Sequence, residues 1–170
     1  MTETAWMGRY RSLIAAIVLH GNNVSRVLSS RTAMSDDVTL SQPEWQILEY
    51  LLENEQDDDC MNRISERLGI PQSSLSKAVK TLCGFGLVER FRRGRNRKNV
   101  ILRATGKGRE LYRAFVPVMI ESSFAGFFEA LEEVSDADLA AFTEAIRRLT
   151  RGMEEHRGPS PLRPMEQENT

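Results

Sequence analysis

A short basic segment between two apolar stretches is the strongest constraint on the fold of this chain. Residues 90–98 read Arg-Phe-Arg-Arg-Gly-Arg-Asn-Arg-Lys, which gives six cations and no acid. Leu87-Val88 precedes this segment and Val100-Ile101-Leu102 follows it. Two short apolar runs around a polar turn with a glycine predict a β-hairpin. A cationic hairpin suits insertion into a nucleic-acid groove, although a charge run by itself is more often a solvated loop.

Two short predicted helices lie immediately before the hairpin and are joined by a tight turn, Leu68-Gly69-Ile70-Pro71. The glycine is a typical helix stop, and the proline is typical of a first helical turn. In the second helix, Leu75, Val79 and Leu82 recur at helical spacing and predict a buried face. A helix-turn-helix followed by a two-stranded hairpin is a winged helix.

The remaining positions of the second helix carry hydroxyls, an amide and two cations, which can bond base edges and phosphates in a major groove. The candidate DNA-binding residues of this helix are Gln72, Ser73, Ser74, Ser76, Lys77, Lys80 and Thr81. Those of the hairpin are Arg92, Arg93, Arg95, Asn96, Arg97 and Lys98. A solvated polar face is the competing interpretation of this helix, and the adjoining basic hairpin disfavours it.

Long amphipathic patterns flank the winged helix. Apolar residues at three- and four-residue steps predict one helix from about Ala5 to Ser30, followed by a polar stretch from Arg31 to Thr39. Thr105 and Ser135 are predicted to cap two further helices. The fold class is therefore mainly α with a small β-wing, a winged helix-turn-helix between long dimerisation helices. We predict an N-terminal helix and linker (1–38), the winged helix (39–104), C-terminal dimerisation helices (105–156) and a flexible tail (157–170).

The charge of the chain is strongly asymmetric although its formal net charge is -1. Residues 77–113 contain twelve basic and two acidic residues, and the rest contains eleven basic and 22 acidic ones. One basic segment between acidic flanks favours a polyanionic partner. Two cysteines without paired spacing predict neither a disulfide framework nor a metal site. No cofactor or enzyme motif is evident, the seven-residue apolar run Leu13–Leu19 is too short for a membrane span of about 20 residues, and we expect a cytoplasmic protein.

The combined motifs resemble the MarR family of bacterial transcription regulators over about Ser41 to Gly108. The matching segments are Ile64–Ile70, Pro71–Val79, Gly86–Arg90, Asn96–Lys98 and Val100–Gly108. The resemblance implies a homodimer whose two winged helices bind double-stranded DNA at a pseudo-palindromic operator, with Arg97 in the minor groove. It also implies a transcription regulator, which we predict to be a repressor released by a small-molecule effector. The family usually has Asp before this arginine, and here Asn96 replaces a charge-assisted partner with a neutral one.

Regulation is less constrained by the sequence. Family members often bind small aromatic or anionic effectors beside the dimer helices, and Trp45, His20 and Tyr10 are the candidates, although each is more often a core or interface residue. Redox sensing through Cys60 or Cys83 is a weaker alternative, because thiolate sensors need an accessible cysteine of low pKa. A protein-interaction module is the competing function class, and the six-cation hairpin disfavours it because interface centres are depleted of charge.

Overall fold

The computed structural model describes residues 5–28, 30–92 and 100–155, and it is mostly helical with two small antiparallel sheets. The helices are α1 (Arg11–Val27), α2 (Gln42–Glu53), α3 (Met61–Leu68), α4 (Gln72–Gly84), α5 (Gly106–Met119), α6 (Ala125–Leu131) and α7 (Asp136–Glu155). The strands are β1 (Arg31–Ser35), β2 (Val38–Ser41), β3 (Val88–Arg92) and β4 (Val100–Ala104). This architecture confirms the predicted fold class.

The winged helix contains the hydrophobic core. Among the described residues, every buried apolar side chain lies between Val38 and Leu102. The positions predicted to be buried in the second helix of the motif, Leu75, Val79 and Leu82, are each 0% exposed. Leucine, isoleucine and valine side chains from α2, α3, α4 and β3 meet in one cluster, so the helix-turn-helix is held by its own interior.

The turn between α3 and α4 depends on Gly69, which has a positive φ of 64°. Its conformation lets the N–H of Ile70 donate to the carbonyl of Ser65 at 3.1 Å, while the Ser65 hydroxyl donates to the carbonyl of Ile70 at 2.6 Å. Glycine adopts this left-handed conformation without the strain of a side chain. α4 then begins at Gln72, with Pro71 immediately before it.

The polar stretch predicted before α2 is a β-hairpin rather than a linker without structure. β1 pairs with β2 antiparallel, and Thr32 lies opposite Leu40. Val38 and Leu40 are each 1% exposed and Thr39 between them is exposed, which is the alternation of a half-buried strand. At the start of α2 the Ser41 N–H donates to the Glu44 carboxylate at 2.8 Å, as in a capping box, where such a pair three residues apart closes the first turn.

The first predicted helix is divided near its start. Residues Ala5–Tyr10 form a 3₁₀ segment, and Gly8 within it has φ 49° and ψ −133°, which no continuous helix contains. α1 starts at Arg11 and ends at Val27, and it contains no buried residue. Its apolar stripe is therefore exposed in the isolated chain, as at Leu19, which is 62% exposed.

The chain divides into two compact units, Met1–Ile120 and Glu121–Thr170. α5 belongs to the first unit, and Leu111, Tyr112, Phe115, Val116 and Met119 pack against the winged-helix core. The Thr105 hydroxyl accepts from the Gly108 N–H at 3.0 Å, which confirms the predicted cap. Pro117 lies inside α5, and a π-helical turn, Ile120–Phe124, follows the helix.

By length and composition alone, the helical stretch Gly106–Leu131 is apolar enough to cross a membrane. The sequence did not predict this stretch from its longest uninterrupted apolar run, because charged residues divide the first half of Gly106–Leu131. The side chains of α5 that pack against the core provide a second explanation for the apolar character of that half.

In the second unit, α6 has no buried residue. The Ser135 hydroxyl accepts from the Asp138 N–H at 3.2 Å and caps the start of α7.

Candidate nucleic-acid interface

The two faces of α4 separate as its sequence predicts. Leu75, Ala78, Val79 and Leu82 are buried, and the opposite positions carry exposed polar side chains. The exposed candidates are Gln72, Ser73, Ser74, Ser76, Lys77 and Lys80. Thr81 is the exception, because it is half-buried and its hydroxyl donates to the Lys77 carbonyl at 3.3 Å. α4 therefore presents one continuous surface of hydroxyls, an amide and two ammonium groups.

A residue that was not predicted from the sequence borders this surface. The side-chain Nε2 of Gln72 donates to Oδ1 of Asn62 at 2.7 Å, and both residues are exposed. Asn62 is the second residue of α3, so the hydrogen bond joins the first helix of the motif to the start of α4. Ten positions separate the two residues in the sequence, and no local pattern pairs them.

The structure describes the two strands of the wing, β3 and β4, but not residues 93–99 between them. β3 pairs antiparallel with β4, with Arg90 opposite Leu102 and Arg92 opposite Val100. Arg90 and Arg92 are exposed, and Phe91 between them is 46% exposed. Five of the predicted contacts lie outside the described residues: Arg93, Arg95, Asn96, Arg97 and Lys98. The roles predicted for these five residues remain predictions.

Arginines outside the predicted interface pair with the acidic loop between α2 and α3. Arg103 of β4 donates to the carbonyl of Glu55 and forms an ion pair with Asp58. Arg109 of α5 forms an ion pair with Glu55. These contacts fix the inner end of β4 to the body of the domain. They also pair two cations of the basic segment with acidic residues, so most of its remaining cations belong to α4 and to residues 90–98.

A buried carboxylate connects α2 to α3. Asp59 is 6% exposed, it accepts from the Tyr50 hydroxyl, and its Oδ1 lies 3.1 Å from Nε of Arg63. Burial, followed by the hydrogen bond to Asp59, raises the pKa of Tyr50. Arg67 lies 3.8 Å from the same carboxylate. Pairing with two guanidinium groups offsets the desolvation of the charge, so the cluster holds the two helices in register.

The end of α4 is joined to the start of α5 through backbone contacts. Thr105 donates from its N–H to the Leu87 carbonyl at 3.0 Å and from its hydroxyl to the Gly86 carbonyl at 2.7 Å. The Lys107 ammonium donates to the Phe85 carbonyl at 2.9 Å. At Gly108, an added Cβ would be closer to the Leu87 carbonyl oxygen than real Cβ atoms approach. We call these contacts the α4–α5 joint.

The three candidate effector residues lie in different environments. Trp45 is 7% exposed, its ring stacks on Tyr112 at 4.8 Å between centroids, and Phe115 contacts it edge-on at 5.4 Å. His20 is exposed on α1, and Tyr10, just before α1, is 54% exposed with the Arg9 guanidinium 5.0 Å from its ring centroid.

Two polar groups lie at the Trp45 ring stack, the buried indole nitrogen and the hydroxyl of half-buried Tyr112. The indole Nε1 of Trp45 has no hydrogen-bond partner among the described residues. The hydroxyl of Tyr112 donates to Glu49 at 2.7 Å. Burial of the phenol, followed by this hydrogen bond, raises the pKa of Tyr112 from 10.0 to about 12. Trp45 is therefore the only one of the three candidates that combines burial with an unpaired donor.

The cysteines and the metal-ligating residues form no further site in the described ranges. Cys60 is half-buried immediately before α3, and Cys83 is half-buried against the core. Within residues 5–28, 30–92 and 100–155, no three His, Cys, Asp or Glu side chains are grouped as metal ligands. The candidate nucleic-acid interface in the described part of the chain therefore consists of α4, the start of α3 and the strands of the wing.

Comparisons with known proteins agree with this geometry. Residues 36–98 match the family model of the MarR family, which confirms the resemblance over the winged helix. Members of that family are transcriptional regulators rather than enzymes, as expected for this chain. No curated protein matches the sequence.

Solved structures share the fold at low sequence identity. A MarR/EmrR family regulator from Acinetobacter sp. ADP1 is 23% identical, with a TM-score of 0.62, over 85% of this chain and 96% of that one. FabT of Streptococcus pneumoniae, solved with DNA, is 19% identical with a TM-score of 0.57, over 87% and 99%. PcaV of Streptomyces coelicolor, solved with its natural ligand, is 18% identical with a TM-score of 0.57, over 89% and 97%.

Proposed function

We propose that this chain, whose residues 36–98 match the model of the MarR family, is a dimeric transcription regulator that binds double-stranded DNA in the cytoplasm. Its action is repression, by occupying a promoter until a small effector releases it. The observation that carries the proposal is the exposed polar face of α4, directly followed by the basic wing. The match to the family supports regulation, and the face of α4 supports DNA as the partner.

The shape and charge of the interface fit a duplex. A major groove about 12 Å wide admits a helix, and the residues at the start of a recognition helix contact base edges. Lys77 and Lys80 on α4 suit phosphate contacts, as do Arg90 and Arg92 on β3. The basic residues that follow β3 in the sequence, among them Arg97, are proposed for the adjacent minor groove. The fold neighbour FabT was solved with DNA, which gives independent support.

A dimer is proposed from the exposed apolar faces of the flanking helices. The exposed large apolar side chains include Leu13, Val18, Leu19 and Val27 of α1 and Phe142, Leu149 and Met153 of α7. Soluble monomers rarely expose contiguous apolar stripes of this kind. Two copies would place two recognition helices on half-sites about 34–36 Å apart, which is one turn of a pseudo-palindromic operator. A monomeric mass in light scattering at micromolar concentration would contradict this proposal.

The decisive experiment measures fluorescence anisotropy of duplex DNA from upstream of the chain's own gene, as salt is varied. We expect tight binding to this DNA and weaker binding to a scrambled duplex. Lys80→Ala should flatten the log–log salt slope by about 1.8, because each of the two protomers loses one phosphate contact worth about 0.9. Arg97→Ala should lower operator affinity at least about tenfold, since a lost base contact is worth about 1–3 kcal/mol.

The matched control removes a cation away from the interface. Arg147→Ala changes an exposed arginine of α7, and it should leave the salt slope unchanged. Circular dichroism of each variant verifies that the fold is retained. Equal binding of operator and scrambled DNA at every salt concentration would contradict sequence-specific regulation. An unchanged affinity of Arg97→Ala would contradict the role of the wing.

An effector is proposed at Trp45, with a small aromatic or anionic ligand. The buried indole N–H lacks an acceptor among the described residues, and an unpaired buried donor costs about 1–3 kcal/mol. A carboxylate that accepts from this group would recover that free energy. His20 and Tyr10 are further candidates on the N-terminal helical segment. A difference of about 1–3 kcal/mol in ligand affinity between the free and DNA-bound states would suffice for release.

Benzoate added to the protein–DNA complex tests the effector proposal. We expect millimolar benzoate to lower the anisotropy of wild-type complexes and to have a smaller effect on Trp45→Phe, which keeps an aromatic ring but lacks the N–H donor. Cyclohexanol is the uncharged control ligand. Identical release from the wild type and from Trp45→Phe would exclude Trp45 as the acceptor-binding group.

A further inference from the structure

The hydrogen bond between Gln72 and Asn62 lies at the start of α4, the proposed recognition helix, and contributes little to the stability of the fold. Both side chains are exposed, so each could bond to water in place of its partner. An exposed neutral hydrogen bond therefore adds little to stability. Its position is informative, because Gln72 is the first residue of α4. The start of a recognition helix is where base edges are read.

The bond to Asn62 uses one hydrogen-bonding group of the Gln72 amide and leaves one N–H donor and the oxygen acceptor for other partners. A glutamine amide has two N–H donors and one oxygen acceptor. One N–H is donated to Asn62 Oδ1 at 2.7 Å, so a second N–H and the oxygen remain. This pair matches the N7 acceptor and the N6 amino donor of adenine. Guanine offers two acceptors at the same edge, N7 and O6, and would need both N–H groups.

We propose that Gln72 reads an adenine in the major groove and that Asn62 is the residue that positions its amide. By occupying one N–H, Asn62 prevents Gln72 from offering two donors to guanine. By fixing the rotation of the amide, it also holds the remaining donor and acceptor in the order that adenine requires. This inference rests on the proposed DNA-binding function and adds a specificity device to it.

Selection from a pool of randomised duplex DNA tests the inference even though the operator sequence is not known. The wild type should enrich a two-fold symmetric motif with an adenine at one position of each half-site. Gln72→Ala should lose the preference at that position. Asn62→Ala should reduce the adenine-over-guanine ratio there by about tenfold, since a bidentate base contact is worth about 1–3 kcal/mol. The double variant should lose no more than Gln72→Ala alone, because the two residues act as one unit.

Asn62→Asp separates positioning from a contact with the phosphates. Its carboxylate still accepts from Gln72 Nε2, so the adenine preference should be retained. The added negative charge should lower affinity for every DNA sequence alike. Gln56→Ala is the matched control, since it removes an exposed amide from the loop before α3 and should change neither quantity.

The outcomes distinguish this inference from the proposed function. If the wild type enriches no motif, DNA-binding regulation itself fails, and the inference fails with it. If a motif is enriched but Asn62→Ala keeps every base ratio, the positioning role is wrong while regulation stands. Loss of affinity by Asn62→Ala across all sequences, without a change in base ratios, would make Asn62 a phosphate contact and overturn the inference.

Discussion

The winged helix buries its apolar side chains, whereas the flanking helices α1 and α7 leave many of theirs exposed. Leu48 in α2 is 0% exposed, whereas Leu19 in α1 is 62% exposed, although both belong to amphipathic helices. The winged helix fills its interior with its own side chains. α1 and α7 carry similar apolar stripes that the isolated chain does not cover. The difference suggests that the winged helix is a unit of folding, while the flanking helices are shaped for association.

The largest expected loss of stability comes from a cavity in the core of the winged helix. Leu48→Ala should lower the free energy of unfolding by about 2–5 kcal/mol, because it leaves a cavity in a closed core. Urea denaturation followed by circular dichroism measures this loss. Leu19→Ala removes the same atoms from an exposed position, and its effect should depend on protein concentration if the α1 stripe is covered in a dimer. Equal losses that do not vary with concentration would contradict the contrast between the two regions.

The next effect concerns the α4–α5 joint, where the winged helix meets a helix of the proposed dimer. Gly108→Ala should lower the free energy of unfolding by about 1–3 kcal/mol, because the new Cβ would meet the Leu87 carbonyl oxygen and backbone must shift. Gly106→Ala is the matched control two positions earlier. It has no neighbour within 4 Å, and its change should be neutral or slightly stabilising. Equal thermal midpoints for the two variants would show that the joint is loose.

The smallest effect is a dependence of stability on alkaline pH. The pKa of Tyr112 is raised from 10.0 to about 12, first by burial and then by its hydrogen bond to Glu49. Between these values the folded protein keeps a proton that the unfolded chain has released. The free energy of unfolding contributed by Tyr112 is therefore complete below pH 10 and declines as pH rises towards about 12.

Urea denaturation between pH 9 and about 12 measures this decline, with Tyr112→Phe as the test. The variant should decline less steeply than the wild type, and the raised pKa of Tyr50 accounts for part of what remains. Tyr10→Phe, at an exposed ring, should keep the wild-type decline. A steeper decline in Tyr112→Phe would contradict the burial of this phenol against the winged helix.

Features set by near neighbours in the sequence were predictable. The buried face of α4, the capping pair of Ser41 with Glu44 and the cap at Thr105 all depend on residues three to seven positions apart. Helical periodicity and capping depend on residues close together in the chain, so a single sequence is enough to predict them. The resemblance to the MarR family could also be recognised from the sequence, since its motifs lie in one continuous segment, about Ser41 to Gly108, which the family model matches as far as residue 98.

Features that depend on distant residues were not predictable. The ion pair of Arg103 with Asp58 joins residues 45 positions apart, and the Asn62–Gln72 hydrogen bond joins two different helices. The hairpin before α2 was missed because only Val38 and Leu40, in β2, are fully buried, and Met34 is the one residue of β1 that packs partly against the core. A pattern of two apolar residues is too short to distinguish a strand from a polar linker.

The α4–α5 joint also determines how far Gln72 moves when the winged helix rotates relative to α5. α4 has 13 residues and is therefore about 20 Å long, and the joint holds it at its carboxyl end. Because α4 is packed into the core of the winged helix, a rotation of the whole winged helix by about 5° about this joint moves Gln72, at the opposite end of α4, by roughly 1.7 Å. A hydrogen bond of ordinary length does not tolerate such a displacement. With no side chain at Gly108 to absorb motion, a small tilt of α5 that passes through the joint would be enough to break the base contact proposed for Gln72.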